Sequence, residues 1–349
     1  MNEVLVTGAS GFIGRQCLPL LVAKGYDVHA LCLRPEPGST PGVSWHRCNL
    51  LHPGCATALM RQLRPQSLLH LAWYAVPGKF WEARENLEWL RASLELLVSF
   101  ADHGGKRFVA AGTCAEYEWD KHDGKNENAG KNKIEGNWGE CHEGTTSLLP
   151  STLYGTSKHA LQQIVHFSGW QTGLSSAWGR IFFLYGPHEH PVRLVAYAVQ
   201  SLLRGEPAFC SEGCQVRDFL HVTDAAAAFV SLLQSEVEGP VNIASGKPTS
   251  IRKVLEEIGE QTGRTELLHF GARPSGAEAS RIWGNVRRLK EEVGFSPQYD
   301  LVAGIRQTIE WWRHSLSSEE RNSEQLNPEQ RNRGESNQER RPTAGVAEP

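Results

Sequence analysis

The sequence has 349 residues, of which 21% are charged, and a formal net charge of −3. This length allows two domains, or one large α/β domain with a smaller lobe, and it allows a sizeable core without disulfide or metal staples. The small negative net charge does not indicate a basic surface that would bind nucleic acid. No stretch approaches the ~20 apolar residues that a membrane span needs. We therefore expect a cytoplasmic protein without nucleic-acid or membrane partners.

Apolar runs alternate with amphipathic segments through the first half of the chain. The runs typical of strands are EVLVTG, DVHALCL, SWHRCNL, SLLHLAW, RFVAAGT and SAWGRIFFLYG. The amphipathic segments between them include 12–24, 83–102 and 154–168. Strands that alternate with helices predict βαβ units and a doubly wound parallel sheet, with a site at the C-terminal ends of the strands.

After residue 185 the pattern changes to helices joined by loops, and it returns to a strand only at GPVNIASG. We therefore predict an α/β fold with two parts. A Rossmann-type domain is formed by 1–185 and 219–245, and a smaller C-terminal lobe is formed by 186–218 and 246–315.

Two segments lack apolar periodicity. Residues 120–145 are rich in Gly, Asn and Lys and predict a long surface loop. Residues 316–349 mix charges with almost no large apolar side chains and predict a disordered tail. The eight cysteines form no CxxC pair, so we expect them to act as small structural side chains. We predict no metal site, since His188 and His190 lack a third ligand.

Three glycines, Gly8, Gly11 and Gly14, connect the first strand run to the first helical segment in VLVTGASGFIGRQ. A GxxGxxG turn brings the backbone close to a pyrophosphate and directs the N–H groups of a helix N-terminus at it. At the start of a βαβ unit, this motif predicts a dinucleotide site. The residues that we assign to it are Gly8, Gly11, Phe12, Ile13, Gly14, Arg15, Arg34, Asn49, Leu50, Leu71 and Ala72.

The end of the second strand run bears on the choice between NAD and NADP. NAD requires an acidic residue there for the ribose 2′-OH, but DVHALCLRP has Cys32 at the expected position and Arg34 two residues later. Arg15 follows the third glycine and can reach the same region. The absence of a carboxylate and the presence of two cations favour NADP, with NAD as the alternative.

The stretch LYGTSK places Tyr154 and Lys158 one turn apart on one face of a helix. The buried stripe predicted for this helix is Ala160, Leu161, Ile164 and Val165. An ammonium beside a phenol lowers the pKa of the phenol, so Tyr154 can exchange a proton with an alcohol or ketone. Thr113 ends a predicted strand and can hydrogen-bond the same oxygen. A second pair with this spacing, Tyr117 and Lys121, leads into the polar segment, and we interpret it as coincidental.

These motifs, together with RIFFLYGP and RDFLHVTD, resemble the extended short-chain dehydrogenase/reductase superfamily, and within it the NAD-dependent epimerase/dehydratase family. The resemblance covers residues 1 to about 315. It implies a catalytic Thr113–Tyr154–Lys158 triad, hydride transfer to or from a sugar carbon, and a second role for Lys158 in holding the nicotinamide ribose. It also implies a nucleotide-sugar substrate bound by the C-terminal lobe, and a homodimer formed through 83–102 and 154–168.

Departures from the family pattern narrow the expected reaction. Sugar 4,6-dehydratases follow the triad Ser/Thr with an Asp-Glu pair, whereas this chain has Cys114 and Ala115, so dehydration is not expected. Phe183 replaces an Asn that commonly contacts substrate. An aromatic stretch follows the fourth strand run, and it either forms a sugar pocket or caps the sheet edge. Its members are Trp73, Tyr74, Phe80 and Trp81.

Arg217 matches the position that binds the substrate diphosphate in this family, and Arg193 and Arg273 are candidate helpers. The leading hypothesis is an NADP-dependent reductase of a 4-keto nucleotide sugar. One alternative is an NAD-dependent nucleotide-sugar epimerase, since the triad is common to both. An alternative of another class is a non-catalytic NAD(P)-binding sensor or scaffold.

Overall fold

The computed structural model describes residues 2–33, 40–119, 139–274 and 281–325. Arg34, Lys121, most of the predicted 120–145 loop and the chain after residue 325 lie outside these ranges. The strands are β1 (Asn2–Thr7), β2 (Tyr26–Cys32), β3 (Val43–Arg47), β4 (Ser67–His70), β5 (Arg107–Thr113), β6 (Glu140–Cys141), β7 (Ser175–Ile181), β8 (Phe183–Tyr185), β9 (Ala208–Phe209), β10 (Val216–His221), β11 (Gly239–Ile243), β12 (Pro248–Ser250), β13 (Leu268–His269) and β14 (Trp283–Gly284). The α-helices are α1 (Gly14–Ala23), α2 (Cys55–Leu63), α3 (Glu85–Asp102), α4 (Leu153–Thr172), α5 (Leu194–Leu203), α6 (Val222–Gln234), α7 (Ile251–Thr262) and α8 (Leu301–Gln325).

The central sheet has seven strands in the order β11-β7-β5-β4-β1-β2-β3. Every neighbouring pair is parallel. β1 lies between β2 and β4, so the winding of the chain reverses beside β1, where α/β proteins form their ligand crevice. The predicted Rossmann-type doubly wound fold is confirmed.

The apolar runs form these strands because the sheet is covered on both faces. All seven residues of β5 are buried, and Leu5, Leu68 and Phe108 from adjacent strands pack in one cluster with Phe100 of α3. The same cluster includes Leu161 and Val165 of α4. Ile164, predicted to belong to their stripe, is instead 41% exposed, because it lies on the outer side of α4.

The described residues divide into two compact units. Each unit is formed by three separate stretches of the chain. The first unit comprises Met1–Leu184, Gln215–Thr249 and Ala277–Tyr299, and the second comprises Tyr185–Cys214, Ser250–Gly276 and Asp300–Pro349.

Three local predictions are wrong. β10 is a strand where only helices and loops were expected. The prediction missed it because Arg217 and Asp218 interrupt the apolar pattern of this segment, although both side chains are buried. Glu140–Cys141 forms β6 and pairs with β14, so the 120–145 segment is not loop throughout. α8 continues to Gln325, because its buried face at Ile305, Ile309 and Trp312 nucleates a helix that polar helix formers can extend.

Two of the cysteines, Cys48 and Cys55, form a disulfide between the end of β3 and the start of α2, which the sequence analysis did not predict. No helix within the described ranges is long and apolar enough to cross a membrane.

Candidate active site

The glycine turn joins β1 to α1 and lies against the end of β4. Gly8 has a φ of +67°, and a Cβ placed on it would be 2.7 Å from the backbone nitrogen of Ala72. A Cβ on Gly14 would overlap the carbonyl oxygen of Gly8. The Thr7 hydroxyl accepts hydrogen bonds from the backbone N–H groups of Leu71 and Ala72, both at 3.2 Å. The close approach of these segments and the start of α1 beside them fit the pyrophosphate of a dinucleotide.

The other described residues assigned to the cofactor lie around this turn or after β3. Phe12 and Ile13 are half-buried and lead into α1, Leu50 is buried, and the Asn49 side-chain oxygen accepts the N–H of Leu51. Arg15 folds back on the turn, where its guanidinium donates to the carbonyls of Ser10 at 2.6 Å and Gly11 at 3.3 Å.

His70, at the end of β4, is a buried residue that the sequence analysis missed. Its Nδ1 lies 2.7 Å from the Thr7 hydroxyl and its Nε2 lies 2.9 Å from the Ser93 hydroxyl. Burial, and secondarily the charge of Lys158, lower the pKa of His70 to about 3, so the imidazole is neutral. A polar residue inside the apolar run SLLHLAW was the available signal.

Lys158 lies on α4 with 3% of its surface exposed. Its Nζ donates to the carbonyl of Ala111 on β5 at 2.7 Å, and it lies 4.0 Å from the ring centroid of Trp73. Burial lowers the pKa of Lys158 to about 7, and the charge of Glu116 opposes this shift. The ammonium is therefore held between a carbonyl and an aromatic face.

Tyr154 lies in the first turn of α4, which is capped by the Thr152 hydroxyl. Its backbone N–H donates to the carbonyl of Trp81 at 2.9 Å, and its ring meets those of Phe80 and Trp81 edge-on, with centroid separations of 4.9 and 5.9 Å. A Cβ on the next residue, Gly155, would overlap the carbonyl oxygen of Ala115. This contact places the start of α4 against the end of β5.

Thr113 is the last residue of β5 and caps a short 3-10 helix, Cys114–Glu116. Its hydroxyl accepts the N–H of Ala115 at 3.2 Å, and its own N–H donates to Glu116 Oε1 at 2.8 Å. A hydroxyl has one donor and two acceptor positions, so Thr113 can still donate to a substrate oxygen. β5 thus brings together Thr113 and the acceptor of Lys158, and α4 adds Tyr154.

The aromatic stretch after β4 is fixed by hydrogen bonds. The indole N–H of Trp73 donates to Asn86 Oδ1 at 2.9 Å, and the buried Asn86 amide donates to the carbonyls of Phe80 and Ala83. Because Trp73 contacts Lys158 and both Phe80 and Trp81 contact Tyr154, the geometry favours the pocket interpretation over a cap on the sheet edge.

The two residues that follow Thr113 provide no acid or base. Cys114 is buried, and burial raises the pKa of its thiol well above the usual range, so it stays neutral. Ala115 has no titratable group. These two residues therefore supply neither the acid nor the base that dehydration of a sugar would need at these positions.

The candidate substrate arginines lie in different units. Arg217 is on β10 in the first unit, almost fully buried, with its guanidinium carbon 5.3 Å from the Phe183 ring. Arg193 precedes α5 in the second unit, and Arg273 in that unit lies 5.2 Å from the Tyr197 ring. Within the described ranges, no group of three or more His, Cys, Asp or Glu side chains could hold a metal ion.

Comparisons with known proteins cover most of this chain. The model of the NAD dependent epimerase/dehydratase family matches residues 4–244. An uncharacterised UDP-glucose epimerase of Bacillus subtilis, YtcB, is 27% identical over 88% of this chain and 96% of its own. The GDP-6-deoxy-D-mannose reductase of Pseudomonas aeruginosa is 24% identical over 91% of this chain and 99% of its own.

Solved structures show the same fold. MoeE5, determined with UDP-glucuronic acid and NAD, has a TM-score of 0.74 and 27% identity, covering 90% of this chain and 99% of its own. The UDP-glucose 4-epimerase of Thermotoga maritima, determined with UDP-glucose, has a TM-score of 0.76 and 22% identity, with the same coverage. The chain belongs to the NAD-dependent epimerase/dehydratase family and is an enzyme of the NAD(P)-dependent short-chain dehydrogenase/reductase type.

Proposed function

We propose that this enzyme is an NAD-dependent nucleotide-sugar epimerase that inverts one carbon of its sugar. The observation that supports hydride chemistry is the contact of Lys158 with Ala111, two residues before Thr113 at the C-terminal end of β5, with Tyr154 one turn earlier on α4. The glycine turn lies on the same edge of the sheet. Most of the relatives with named activities are UDP-sugar epimerases. This support favours the epimerase over the reductase that was the leading hypothesis from the sequence.

The residues of the site have complementary roles in this reaction. A nicotinamide cofactor, when bound, would supply the hydride chemistry at the sugar carbon. Tyr154 takes the proton of the sugar hydroxyl and later gives it back. Thr113 donates a hydrogen bond to the same oxygen, and Lys158 stabilises the phenolate of Tyr154 through its charge.

NAD is the cofactor that we propose. The case for NADP rested on Arg15 and Arg34 and on the absence of a carboxylate at Cys32. Arg15 donates to the carbonyls of Ser10 and Gly11, which supports a role in holding the glycine turn instead of a 2′-phosphate. MoeE5, the 27% identical structure, contains NAD.

The substrate that we propose is a nucleotide diphosphate sugar, with Arg217 at its diphosphate and Arg193 and Arg273 as helpers. We also propose a homodimer and a cytoplasmic location. The Cys48–Cys55 disulfide counts against that location, since cytosolic thiols are normally kept reduced.

The first test identifies the nucleotide carried by the purified protein after denaturation. An epimerase that recycles its cofactor should release NAD in near-stoichiometric amount. It should also interconvert a UDP-hexose with its 4-epimer without added NADH or NADPH. An empty protein that consumes NADPH in proportion to a 4-keto nucleotide sugar would contradict this proposal.

The second candidate function is that reduction of a 4-keto nucleotide sugar. Cys32 in place of a carboxylate and the likeness to the Pseudomonas aeruginosa reductase favour it. Titration of NADPH and NADH into cofactor-free protein separates the two candidates, because a reductase of this kind should bind NADPH much more tightly.

Replacing Tyr154 by Phe tests the mechanism for either reaction. The phenol is the proton donor and acceptor, so turnover should fall by about 10²–10⁴-fold while cofactor content stays near that of the wild type. Phe keeps the ring that packs against Phe80 and Trp81. Activity that survives in Y154F would show that another group transfers the proton.

A further inference from the structure

Glu116 is a fully buried carboxylate behind the end of β5. Its Oε1 accepts hydrogen bonds from the backbone N–H of Thr113 and the indole N–H of Trp178, both at 2.8 Å. Its Oε2 accepts from Nε of Arg180 at 2.8 Å, and neither side chain of this ion pair is exposed. Such a carboxylate joins two strands, because Trp178 and Arg180 belong to β7.

The network continues away from the active site. Arg180 also donates to the hydroxyl of Tyr117 at 3.1 Å, and that hydroxyl donates to Asn242 Oδ1 at 2.8 Å on β11. The backbone N–H of Asn242 in turn donates to Glu143 Oε1 at 2.9 Å. Glu116 is thus the member of this network that contacts the catalytic strand.

Three consecutive residues of β5 connect Glu116 to the catalytic group. Ala111 supplies the carbonyl that accepts from Lys158, and Thr113 donates its N–H to Glu116. Gly112 between them has no room for a side chain, because a Cβ there would lie 2.6 Å from Glu116 Oε1 and would overlap the indole nitrogen of Trp178. A shift of the Glu116 carboxylate would therefore move the strand end that holds both Thr113 and Lys158.

Glu116 also supplies negative charge to the surroundings of Lys158. On β4, His70 is neutral, and on β7 the Trp178 ring centroid lies 6.0 Å from the ammonium. Tyr154 lies one turn earlier on α4, and Arg180 on β7 is the ion-pair partner of Glu116. Burying an ammonium is unfavourable unless an opposite charge compensates it, and Glu116 provides that charge.

We propose that Glu116 is a positioning residue for the catalytic group: it fixes the end of β5, which carries both Thr113 and the Ala111 carbonyl that accepts from the ammonium of Lys158. No motif used in the sequence analysis includes Glu116, and it does not touch the reacting atoms. Its effect on turnover rests on the proposed function, but its effect on Lys158 does not.

The test measures the ionisation of Lys158 directly by NMR in the full-length protein as purified, labelled with ¹³C at the lysine Cε. The sequence has eleven lysines, and the signal missing from Lys158→Met identifies Lys158. The main variant is the double substitution Glu116→Gln and Arg180→Gln, which removes both charges together so that neither is left buried without its partner. The matched control is Glu143→Gln, the same change at the far end of the network.

The wild-type midpoint of Lys158 is expected near pH 7. In the double variant it should fall by about one pH unit or more, because the compensating charge is lost, and in Glu143→Gln it should stay within about half a unit. The alkaline limb of the kcat profile should shift with it, with a smaller change in KM. An unchanged midpoint in a folded double variant would overturn the inference.

Glu116→Asp is the second variant if the double variant does not fold. It keeps a charge beside Arg180 but shortens the reach to the Thr113 N–H, so the midpoint of Lys158 should fall by more than in Glu143→Gln, and an unchanged midpoint would overturn the inference. The titration needs no substrate. If Lys158 responds as expected while no sugar nucleotide is converted, the proposed function fails and the role of Glu116 remains.

Discussion

Lys158 is a buried cation whose charge serves the proposed reaction and opposes folding. Its ammonium donates to Ala111 and lies over Trp73, yet burial lowers its pKa from 10.5 to about 7. Below pH 7 the folded and the unfolded chain both carry the proton, so the full unfavourable effect of the lowered pKa is present. Above pH 10.5 neither carries it, and the effect is gone.

Lys158→Met should therefore be more stable than the wild type near pH 6, while its turnover is abolished. Between pH 7 and 10.5 the unfolded wild-type chain binds more protons than the folded one. The free energy of unfolding of the wild type should therefore rise, relative to that of the variant, by about 1.4 kcal/mol per pH unit in that window. Urea unfolding of both proteins at several pH values measures this slope. A stability difference that does not change with pH would show that the folded and the unfolded chain bind the Lys158 proton equally over this range.

At the residue scale, sequence spacing could predict those candidate site residues that lie close to one another in the chain. Tyr154 and Lys158 share a helix turn, and the glycine turn is contiguous in sequence. Glu116 and His70 were missed because their partners come from other strands and helices, which no short motif records. Arg15 shows a different problem. Its position in the sequence suggested a phosphate contact, but its side chain folds back onto the backbone carbonyl of Ser10, which the sequence pattern does not reveal.

The loop between β4 and α3 is an element whose few hydrogen bonds organise the site. Asn86 accepts from Trp73 and donates to the carbonyls of Phe80 and Ala83, so a single side chain fixes aromatic residues on both sides of the Tyr154–Lys158 pair. These hydrogen bonds fix a loop that has little regular secondary structure of its own.

Asn86→Ala should weaken that loop. We expect the free energy of unfolding to fall by about 1–3 kcal/mol and kcat to fall roughly 10- to 100-fold, because the residues around Tyr154 lose their fixed positions. Stopped-assay kinetics and chemical unfolding measure the two effects. Ser99→Ala, on the same helix as Asn86, is the control, since it removes a partly buried hydrogen bond to Thr57 of α2, away from the loop. Equal losses of kcat in both variants would contradict a specific role for Asn86.

At the element scale, continuous apolar runs predicted the buried strands of the central sheet, because a strand covered on both faces has no polar side. The same criterion failed for β10, where Arg217 and Asp218 are buried in a strand. Asp218 is compensated by N–H groups of Ser245, Gly246 and Gly284, which are distant in sequence. Buried charges with remote partners are therefore where sequence patterns mislead.

At the scale of the whole molecule, α3 and α4 pack together and also carry large exposed apolar side chains. Leu87 and Val98 on α3 are 51% and 58% exposed, and their separation of eleven residues puts them on one face of the helix. Ile164 and Phe167 are neighbours on the outer side of α4, 41% and 58% exposed. This surface supports the proposed homodimer, because an exposed apolar face on adjacent helices is typical of an interface between subunits.

Replacing Val98 and Phe167 together by Glu should convert the dimer to a monomer in sedimentation velocity experiments. In a two-fold interface each substitution faces the partner copy of the same surface, so two carboxylates per subunit would be buried and would repel one another. The monomer should keep its fold, because neither side chain belongs to the core of the sheet. Phe209→Glu is the matched control: Phe209 is 45% exposed on β9 in the second unit, and its substitution should leave the dimer intact. A wild-type protein that sediments as a monomer at micromolar concentration, or a Val98/Phe167 variant that remains dimeric, would assign the contact between subunits to another surface or to none.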